Sequence, residues 1–406
     1  MGSRETNGCR AGFRGAAMTV QHASNELMVS LVRAGHLATF EELPALVAKK
    51  ADSAGLSQAR IYLADHQQQV LREFTGEGSD AHQGGEDLLV DDSPAGQAYV
   101  TGVTVRMEDE QRYWVPVLDG AERLGVLHVS YPGDPDRSAM RDLASMVALL
   151  VIAKRSNSDA YARLIRTKPM SVSAEMQWTL MPPGTFADSR VTISAATEPA
   201  YDNAGDSFDY ALDGETAHLA MFDAMGHDTT AGLIANLAVG AFRNERRKGT
   251  PLADVCRGVE HTLIQEFVRT RFATAILAEL NMATGELYWV NCGHLPPVLI
   301  RGEEVRDLEC EPSHPLGMDL GLPVTVCREQ LEPGDRLLLY TDGIIEARDS
   351  EGREFGVERF VDFVIRHQAD NMPVPETLRR LVHAVLEYHH GRFGDDATVL
   401  FCEWHG

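Results

Sequence analysis

Apolar residues recur along the chain at two different periods, which predict alternating helices and strands. Leucines at helical spacing predict a helical segment over 25–51 with a break near Gly35 and Pro44. Ser93 followed by Pro94 is typical of a helix start, because Ser caps a backbone N–H and Pro fits the first turn. A further helix is predicted from Arg137 to about Arg166. The predicted strands of this first half are 59–65, 69–77, 113–118 and 124–131.

The second half begins with an amphipathic pattern over 174–183 that two prolines end. Helices are predicted at 250–267, 357–367 and 375–389, and they alternate with short apolar runs. These runs predict strands at 191–197, 206–212, 215–223, 272–280, 286–291, 336–340 and 398–403. Because antiparallel strands alternate with helical pairs, the fold class is α/β (α+β), with an α/β sandwich in the second half.

The length of the chain indicates more than one domain, and a polar stretch after residue 154 indicates where the boundary falls. A chain of 406 residues exceeds one ordinary domain. We therefore predict a disordered extension over 1–24, a first α/β domain over 25–155, a helical linker over 156–173 and a second domain over 174–404.

Composition narrows the classes of function. The chain has 60 acidic and 37 basic residues and a net charge of −23, which disfavours nucleic acid and anionic membranes as partners but suits divalent cations. The longest apolar run, between Asp142 and Lys154, is far shorter than the about 20 residues of a membrane span. Without a signal peptide pattern, we expect a cytoplasmic protein.

The six cysteines form no CxxC pair, which disfavours a zinc cluster, and their sparse use indicates a reducing compartment.

A predicted hairpin brings two aspartates together. If the turn is Asp213-Gly214, Leu212 pairs with Glu215, and Asp206 and Asp223 become diagonal neighbours about 7–8 Å apart. Two such carboxylates repel each other unless a cation lies between them. The alternative is that they are ordinary loop aspartates near strand ends.

Two more acidic sites follow the same pattern. The apolar strand 337–340 runs into Thr341-Asp342-Gly343, and Asp395 and Asp396 precede the final strand. Either site alone is explained by ordinary turn chemistry, since Asp and Gly are common where strands end. The occurrence of all four acidic sites together is what favours a cation site.

Six motifs in order resemble one known family. They are AGDSFDY at 204–210, DAMGH at 223–227, NCGHLPP at 291–297, PLGM at 315–318, LYTDGIIEA at 339–347 and GDDATVL at 394–400. Together they are similar to the SpoIIE/RsbU-type branch of the PPM (PP2C-like) serine/threonine phosphatases, over about 170–404. The order of elements over 25–155 resembles a GAF domain, through its pattern and without a sharp motif.

The phosphatase resemblance implies an α/β-β/α sandwich and a binuclear Mg²⁺ or Mn²⁺ centre. Its catalytic carboxylates would be metal ligands, with Asp223 bridging both ions and the carbonyl of Ala224 replacing the family's usual glycine carbonyl. The metal ligands implied by the resemblance are Asp206, Asp223, Ala224, Asp342 and Asp395. Asp396 falls where related eukaryotic enzymes carry Asn.

Three other polar residues near these motifs have two interpretations each. His227 would either protonate the leaving oxygen or shape its loop. Asn291 and His294 would either contact phosphate or tie a turn by side-chain hydrogen bonds. Asp228 replaces the family's usual glycine and is expected to cap the helix that follows it.

The combined resemblance implies a protein serine/threonine phosphatase under sensory control. In that family the substrates are often phosphorylated STAS-domain anti-sigma-factor antagonists. A GAF domain allows for a small-molecule ligand, which the sequence does not identify; no cysteine or histidine arrangement suits a bilin or haem. The alternative is a non-catalytic scaffold whose phosphatase-like half only docks a partner, and the presence of all four aspartates argues against it.

The helix that leaves the first domain predicts a homodimer. Leu143, Val147, Leu150 and Val151 recur at helical spacing, and the run 148–153 is apolar nearly all round. One face must cover the sheet of its own domain, so a second face needs another cover. A second copy related by two-fold symmetry would supply it.

Overall fold

The chain folds into two compact units, one from Met1 to Thr167 and one from Lys168 to Gly406. The computed structural model describes residues 27–53, 55–107, 111–131, 137–202, 205–226, 228–369, 372–389 and 396–406. The predicted extension over 1–24 lies outside them. The boundary between the units falls inside the predicted linker 156–173, and the domain assignments stay predictions.

The first unit is built on an antiparallel sheet whose six described strands have the order β3-β2-β1-β6-β5-β4. Its strands are β1 (Ser57–Ala64), β2 (Val70–Phe74), β3 (Asp87–Leu89), β4 (Val105–Met107), β5 (Arg112–Asp119) and β6 (Glu122–Ser130). Its helices are α1 (27–37), α2 (Leu43–Ser53), α3 (Pro94–Thr101), α4 (Arg137–Arg155) and α5 (Asp159–Leu164).

Alternation along the strands gives this sheet two apolar faces. Ile61 and Leu63 on β1 pack into the cluster that α1, α2 and α4 cover, whereas Tyr62 points to the other face and packs against α3. The predicted start of α3 is confirmed, since the Ser93 side chain accepts a hydrogen bond from the backbone N–H of Gly96. The sheet is therefore covered on both sides.

The prediction of one helix from Arg137 to about Arg166 is wrong. α4 ends at Arg155, and the hydroxyl of Ser158 accepts from the backbone N–H of Tyr161 to cap the new helix α5. A serine that satisfies the free N–H groups of a helix start makes a new beginning favourable there. The predicted helical linker is accordingly not one helix, and the next helix starts at Val172.

The second unit has two antiparallel sheets. Its strands are β7 (Thr185–Ala187), β8 (Val191–Glu198), β9 (Asp206–Asp213), β10 (Thr216–Ala224), β11 (Ala273–Asn281), β12 (Glu286–Cys292), β13 (Val298–Arg301), β14 (Glu304–Asp307), β15 (Cys327–Gln330), β16 (Arg336–Tyr340) and β17 (Ala397–Trp404). Its helices are α6 (Val172–Leu180), α7 (Thr229–Arg246), α8 (Leu252–Phe267), α9 (Asp342–Ile345), α10 (Gly356–Ala369) and α11 (Val374–Tyr388). The sheet orders are β15-β12-β11-β10-β9 and β14-β13-β16-β17-β8-β7.

Three apolar clusters stack these elements into four layers. Met221, Ile276, Leu339 and Leu400 belong to the cluster between the two sheets. A second cluster joins the outer face of the five-stranded sheet to α7 and α8, and a third joins the outer face of the six-stranded sheet to α10 and α11. The predicted mixed fold with an α/β-β/α sandwich is therefore confirmed.

The cysteines differ in part from the expectation of a reduced chain. Cys310 and Cys327 form a disulfide that ties the segment after β14 to the edge strand β15. Among the described residues Cys256, Cys292 and Cys402 are free thiols, and all three are buried. The spacing of 17 residues between Cys310 and Cys327 is not a recognisable motif, so the sequence did not indicate this pairing.

No helix in the described part of the chain is long and apolar enough to cross a membrane.

A buried hydrogen bond joins the two sheets at the end of the sandwich where β11 and β17 finish. The indole N–H of Trp404 donates to the carbonyl of Met282 at 2.9 Å. Trp289, also buried, has an indole nitrogen without a hydrogen-bond partner among the described residues. The two tryptophans are thus similar in burial but differ in hydrogen bonding.

We expect Trp404→Phe to lower the free energy of unfolding by about 1–2 kcal/mol more than Trp289→Phe, because only the first substitution strands a buried carbonyl. Urea unfolding of the full chain measures both values. Equal losses for the two variants would contradict the role of this bond.

Candidate active site

The hairpin of β9 and β10 places Asp206 directly opposite Asp223. The predicted register is wrong by two residues, because Gly214 and Glu215 form the turn and Asp213 pairs with Thr216. Gly214 has a φ of 59°, which glycine adopts without a Cβ penalty. A shift of two residues keeps side chains on the same face. The two carboxylates are therefore direct cross-strand neighbours instead of diagonal ones, with Cβ atoms about 5 Å apart.

Asp206 is almost completely buried, whereas Asp223 is half-buried. Burial raises the pKa of the Asp206 carboxyl well above its ordinary value, and the charges of Asp223 and Asp396 raise it further. Hydrogen bonds from Thr341 and Thr398 act in the opposite direction on the same pKa. This is the electrostatic pattern of carboxylates held together without a counter-charge.

The six-stranded sheet contributes a hydroxyl to this pair through Thr341, the residue after β16. Its Oγ1 donates to Asp206 Oδ2 at 2.5 Å and accepts from the backbone N–H of Thr398 at 2.9 Å. Asp342 follows as the first residue of α9 and is half-buried. Sequence reasoning missed Thr341, although its place before Asp342 in the TDG motif was a signal.

Asp396 holds the turn before β9. Its Oδ2 accepts from the backbone N–H groups of Gly205 at 2.6 Å and of Asp206 at 3.4 Å. The carboxylate is buried and engaged with backbone donors. Asp395, predicted as a ligand, lies outside the described residues, so its place at the site stays a prediction.

The backbone around Asp206 is tightly packed. A Cβ on Gly205 would lie 2.7 Å from the carbonyl oxygen of Ala224 and 2.9 Å from that of Gly226. The N–H of Ala224 in turn donates to the carbonyl of Gly205 at 3.1 Å. Glycine at 205 is thus required by its close approach to the end of β10, which carries the Ala224 carbonyl, and to Gly226.

Asn291 ties a turn, as the structural alternative predicts. Its Oδ1 accepts from the backbone N–H of His294 at 2.8 Å, and its Nδ2 donates to the carbonyl of His294 at 3.0 Å. The ring of His294 is buried between Thr274 and the carbonyl of Tyr340. Burial lowers the pKa of His294 to about 4. The described hydrogen bonds of the Asn291 and His294 side chains are thus all to other groups of the protein.

The loop after Asp223 ends where Asp228 caps α7. Its Oδ1 accepts from the backbone N–H of Ala231 at 3.0 Å, and that bond is the main cause that lowers the pKa of Asp228. The predicted capping role is confirmed. His227 lies outside the described residues, so both interpretations of it stay predictions.

The donor types fit a hard divalent cation. Carboxylate and carbonyl oxygens are the ligands that Mg²⁺ and Mn²⁺ prefer. The raised pKa of Asp206 also fits, since a cation would offset the repulsion from Asp223. In the part of the chain that the structure describes, no group of three or more His, Cys, Asp or Glu side chains is arranged to hold a metal ion.

We expect the metal-free protein to lose stability through Asp206 as the pH rises. Because its pKa is raised in the folded state, the folded chain binds more protons than the unfolded chain between the two pKa values, and stability falls with pH across that window. In EDTA, the stability of Asp206→Asn relative to wild type should increase as the pH rises above the ordinary pKa of aspartate, about 4. Urea unfolding at stepped pH measures the difference, and a pH-independent difference would contradict the assignment.

A family model matches most of the second unit, and two curated relatives match part of the chain. Residues 213–405 match the model described as Stage II sporulation protein E (SpoIIE). The chain is 24% identical over 239 residues to phosphoserine phosphatase RsbU of Bacillus subtilis, covering 57% of this chain and 68% of RsbU. It is 26% identical over 166 residues to phosphoserine phosphatase RsbP of the same organism, covering 40% of this chain and 41% of RsbP.

Among solved structures, the crystal structure of the RsbU and RsbW domains of Rv1364c from Mycobacterium tuberculosis has 25% sequence identity and a TM-score of 0.48. That alignment covers 53% of this chain and 62% of the other. The match to the family model and the two curated relatives support a SpoIIE/RsbU-type PP2C phosphatase domain in the second unit of this chain.

Proposed function

We propose that the chain is a Mg²⁺- or Mn²⁺-dependent protein serine/threonine phosphatase. The observation that carries the proposal is the direct pairing of Asp206 with Asp223, to which Thr341 of the other sheet donates a hydrogen bond. A pair of adjacent carboxylates, one of them buried, is costly unless it holds cations. The match to phosphoserine phosphatases supports the same reaction class.

The candidate ligands and the two residues that hold Asp206 in place have separate roles in this proposal. Asp206, Asp223, Asp342 and Asp395 would hold two divalent ions together with the carbonyl of Ala224. When bound, such ions supply an acidified water and neutralise the charge of a phosphoryl group. Thr341 fixes the orientation of the Asp206 carboxylate, and Asp396 holds the backbone before it. The hydrolysis needs no cysteine nucleophile.

The proposed substrate is a phosphorylated STAS-domain anti-sigma-factor antagonist, and the proposed pathway is bacterial partner switching. The support is the resemblance of the motifs and the similarity to RsbU and RsbP. We propose further that the first unit is a GAF-like sensor that controls the phosphatase and binds a small molecule of unidentified class. The support is its antiparallel sheet with helices on both faces.

Asp223→Asn should abolish Mn²⁺-dependent turnover of p-nitrophenyl phosphate and of a phosphoserine STAS protein, lowering the rate about 100-fold or more, because the variant loses the proposed bridging ligand. Steady-state phosphate release in Mn²⁺ after EDTA treatment measures it. Asp213→Asn, at the exposed far end of the same hairpin, is the matched control and should keep wild-type activity. Near-wild-type turnover by Asp223→Asn would reject the assignment and favour the scaffold alternative.

The proposed homodimer would form through the first unit. On α4, Leu143, Val147 and Val151 are buried against their own sheet, but Leu149 is 56% exposed. On α1, Val29 and Val32 are each 51% exposed. These side chains give both helices apolar surface that nothing in the described first unit covers, and a second copy is the cover we propose.

Leu149→Glu should convert the dimer to a monomer at micromolar concentration, because burying an unpaired carboxylate at an apolar interface is unfavourable. Light scattering coupled to size exclusion measures the mass. Leu233→Glu makes the same change at an exposed leucine of α7 in the second unit and should leave the dimer intact. A wild-type chain that is monomeric would contradict the proposed dimer. Dissociation by Leu233→Glu alone would show that the interface lies elsewhere.

A further inference from the structure

We propose that His294 is a positioning residue, which sets the spacing between the two sheets that carry the candidate metal ligands. The inference rests on the proposed function and adds to it. It concerns a side chain that touches neither Asp206 nor Asp223 in the described contacts, and it assigns to the NCGH motif a task other than contact with phosphate.

The candidate ligands are divided between the two sheets of the second unit. Asp206 and Asp223 belong to the five-stranded sheet, whereas Asp342 follows strand β16 of the six-stranded sheet, separated from it only by Thr341. The geometry available to a cation therefore depends on how far apart the two sheets are held at this end of the sandwich.

His294 joins those sheets with both of its ring nitrogens. Nε2 lies 3.0 Å from the carbonyl oxygen of Tyr340, and Nδ1 lies 2.7 Å from Thr274 Oγ1. Because a carbonyl oxygen only accepts, Nε2 carries the proton. Nδ1 of the neutral ring then accepts from the hydroxyl of Thr274. Both contacts have a fixed direction, so the ring acts as a rigid spacer between the strands.

The two ends of this bridge lie beside the acidic residues. Thr274 on β11 is the residue directly opposite Asp223 on β10. Tyr340 ends β16, immediately before Thr341 and Asp342. A change in the His294 bridge would therefore displace strand ends next to candidate ligands of both sheets.

The other cross-sheet hydrogen bonds described here at this end involve the acidic residues themselves. Thr341 donates to Asp206, and Gly205 donates to Asp396. Carboxylates that bind metal must redistribute their oxygens between cation and donors. His294 has no such competing task, since it is buried and the Asn291 side chain holds its backbone on both sides. It is thus the spacer that stays unchanged when ligands rearrange.

The test compares Mn²⁺ binding by the full chain in four variants, using calorimetry, circular dichroism for folding and phosphate release for activity. His294→Ala removes the bridge, and Thr274→Val removes one hydrogen bond while keeping the side-chain shape. His294→Gln retains an N–H donor. Trp404→Phe is the matched control, because it breaks a cross-sheet bond at the opposite end of the same strands.

We expect His294→Ala and Thr274→Val to weaken Mn²⁺ binding about tenfold and to regain activity at raised Mn²⁺. His294→Gln should lie between them and wild type, and Trp404→Phe should lose stability with unchanged Mn²⁺ affinity. If His294→Ala does not fold, Thr274→Val decides. Wild-type Mn²⁺ affinity in folded bridge variants, or equal weakening in Trp404→Phe, would overturn the role of His294. A wild-type chain that binds no Mn²⁺ would instead overturn the proposed metal centre itself.

Discussion

The second unit is organised around the repulsion between two carboxylates that its own hairpin places face to face. Asp206 and Asp223 lie opposite each other at the ends of β9 and β10, and Asp206 is buried. The hydroxyl of Thr341 offsets part of that repulsion from the other sheet, and a bound cation would offset the rest.

The fold can tolerate this cost because apolar packing holds both strands in place. The opposite faces of β10 belong to different clusters: Met221 packs between the sheets, while Phe222 packs against α7 and α8. Strand positions fixed on both faces leave the strand ends little freedom to separate. A rigid scaffold of this kind holds the polar side chains of a site in a defined arrangement, even where the site itself is not filled by packed side chains.

Sequence patterns predicted most helices and strands and the acidic residues, but not the register of the hairpin or the break before α5. Periodicity placed β9, β10 and β16, and Asp228 was recognisable as a helix cap. The register of the hairpin was missed because Asp213-Gly214 and Gly214-Glu215 are both plausible turns, and only packing of the whole strand selects between them. The break before α5 was missed because the polar stretch after residue 154 is compatible with one continuing helix, although Ser158 can cap a new one.

Hydrogen bonds between distant segments could not be read from the sequence. The partner of Thr341 is 135 residues away, and the partner of Asp396 is 191 residues away. No local pattern encodes such a pairing. The tie between Asn291 and His294 was foreseen as an alternative because it spans only three residues and belongs to a familiar class of turn.

Those sequence separations also constrain the order in which the second unit can assemble. The β9–β10 hairpin is a local structure that can form early, so its acidic pair exists before Thr341 or Asp396 has a position. β17, the last strand in the sequence, must insert between β16 and β8 to complete the six-stranded sheet. During synthesis the hairpin with the two carboxylates is therefore made long before the strand that completes the six-stranded sheet. A nascent chain that stalls before β17 would hold the acidic hairpin without the backbone N–H of Thr398, which fixes the Thr341 hydroxyl that donates to Asp206.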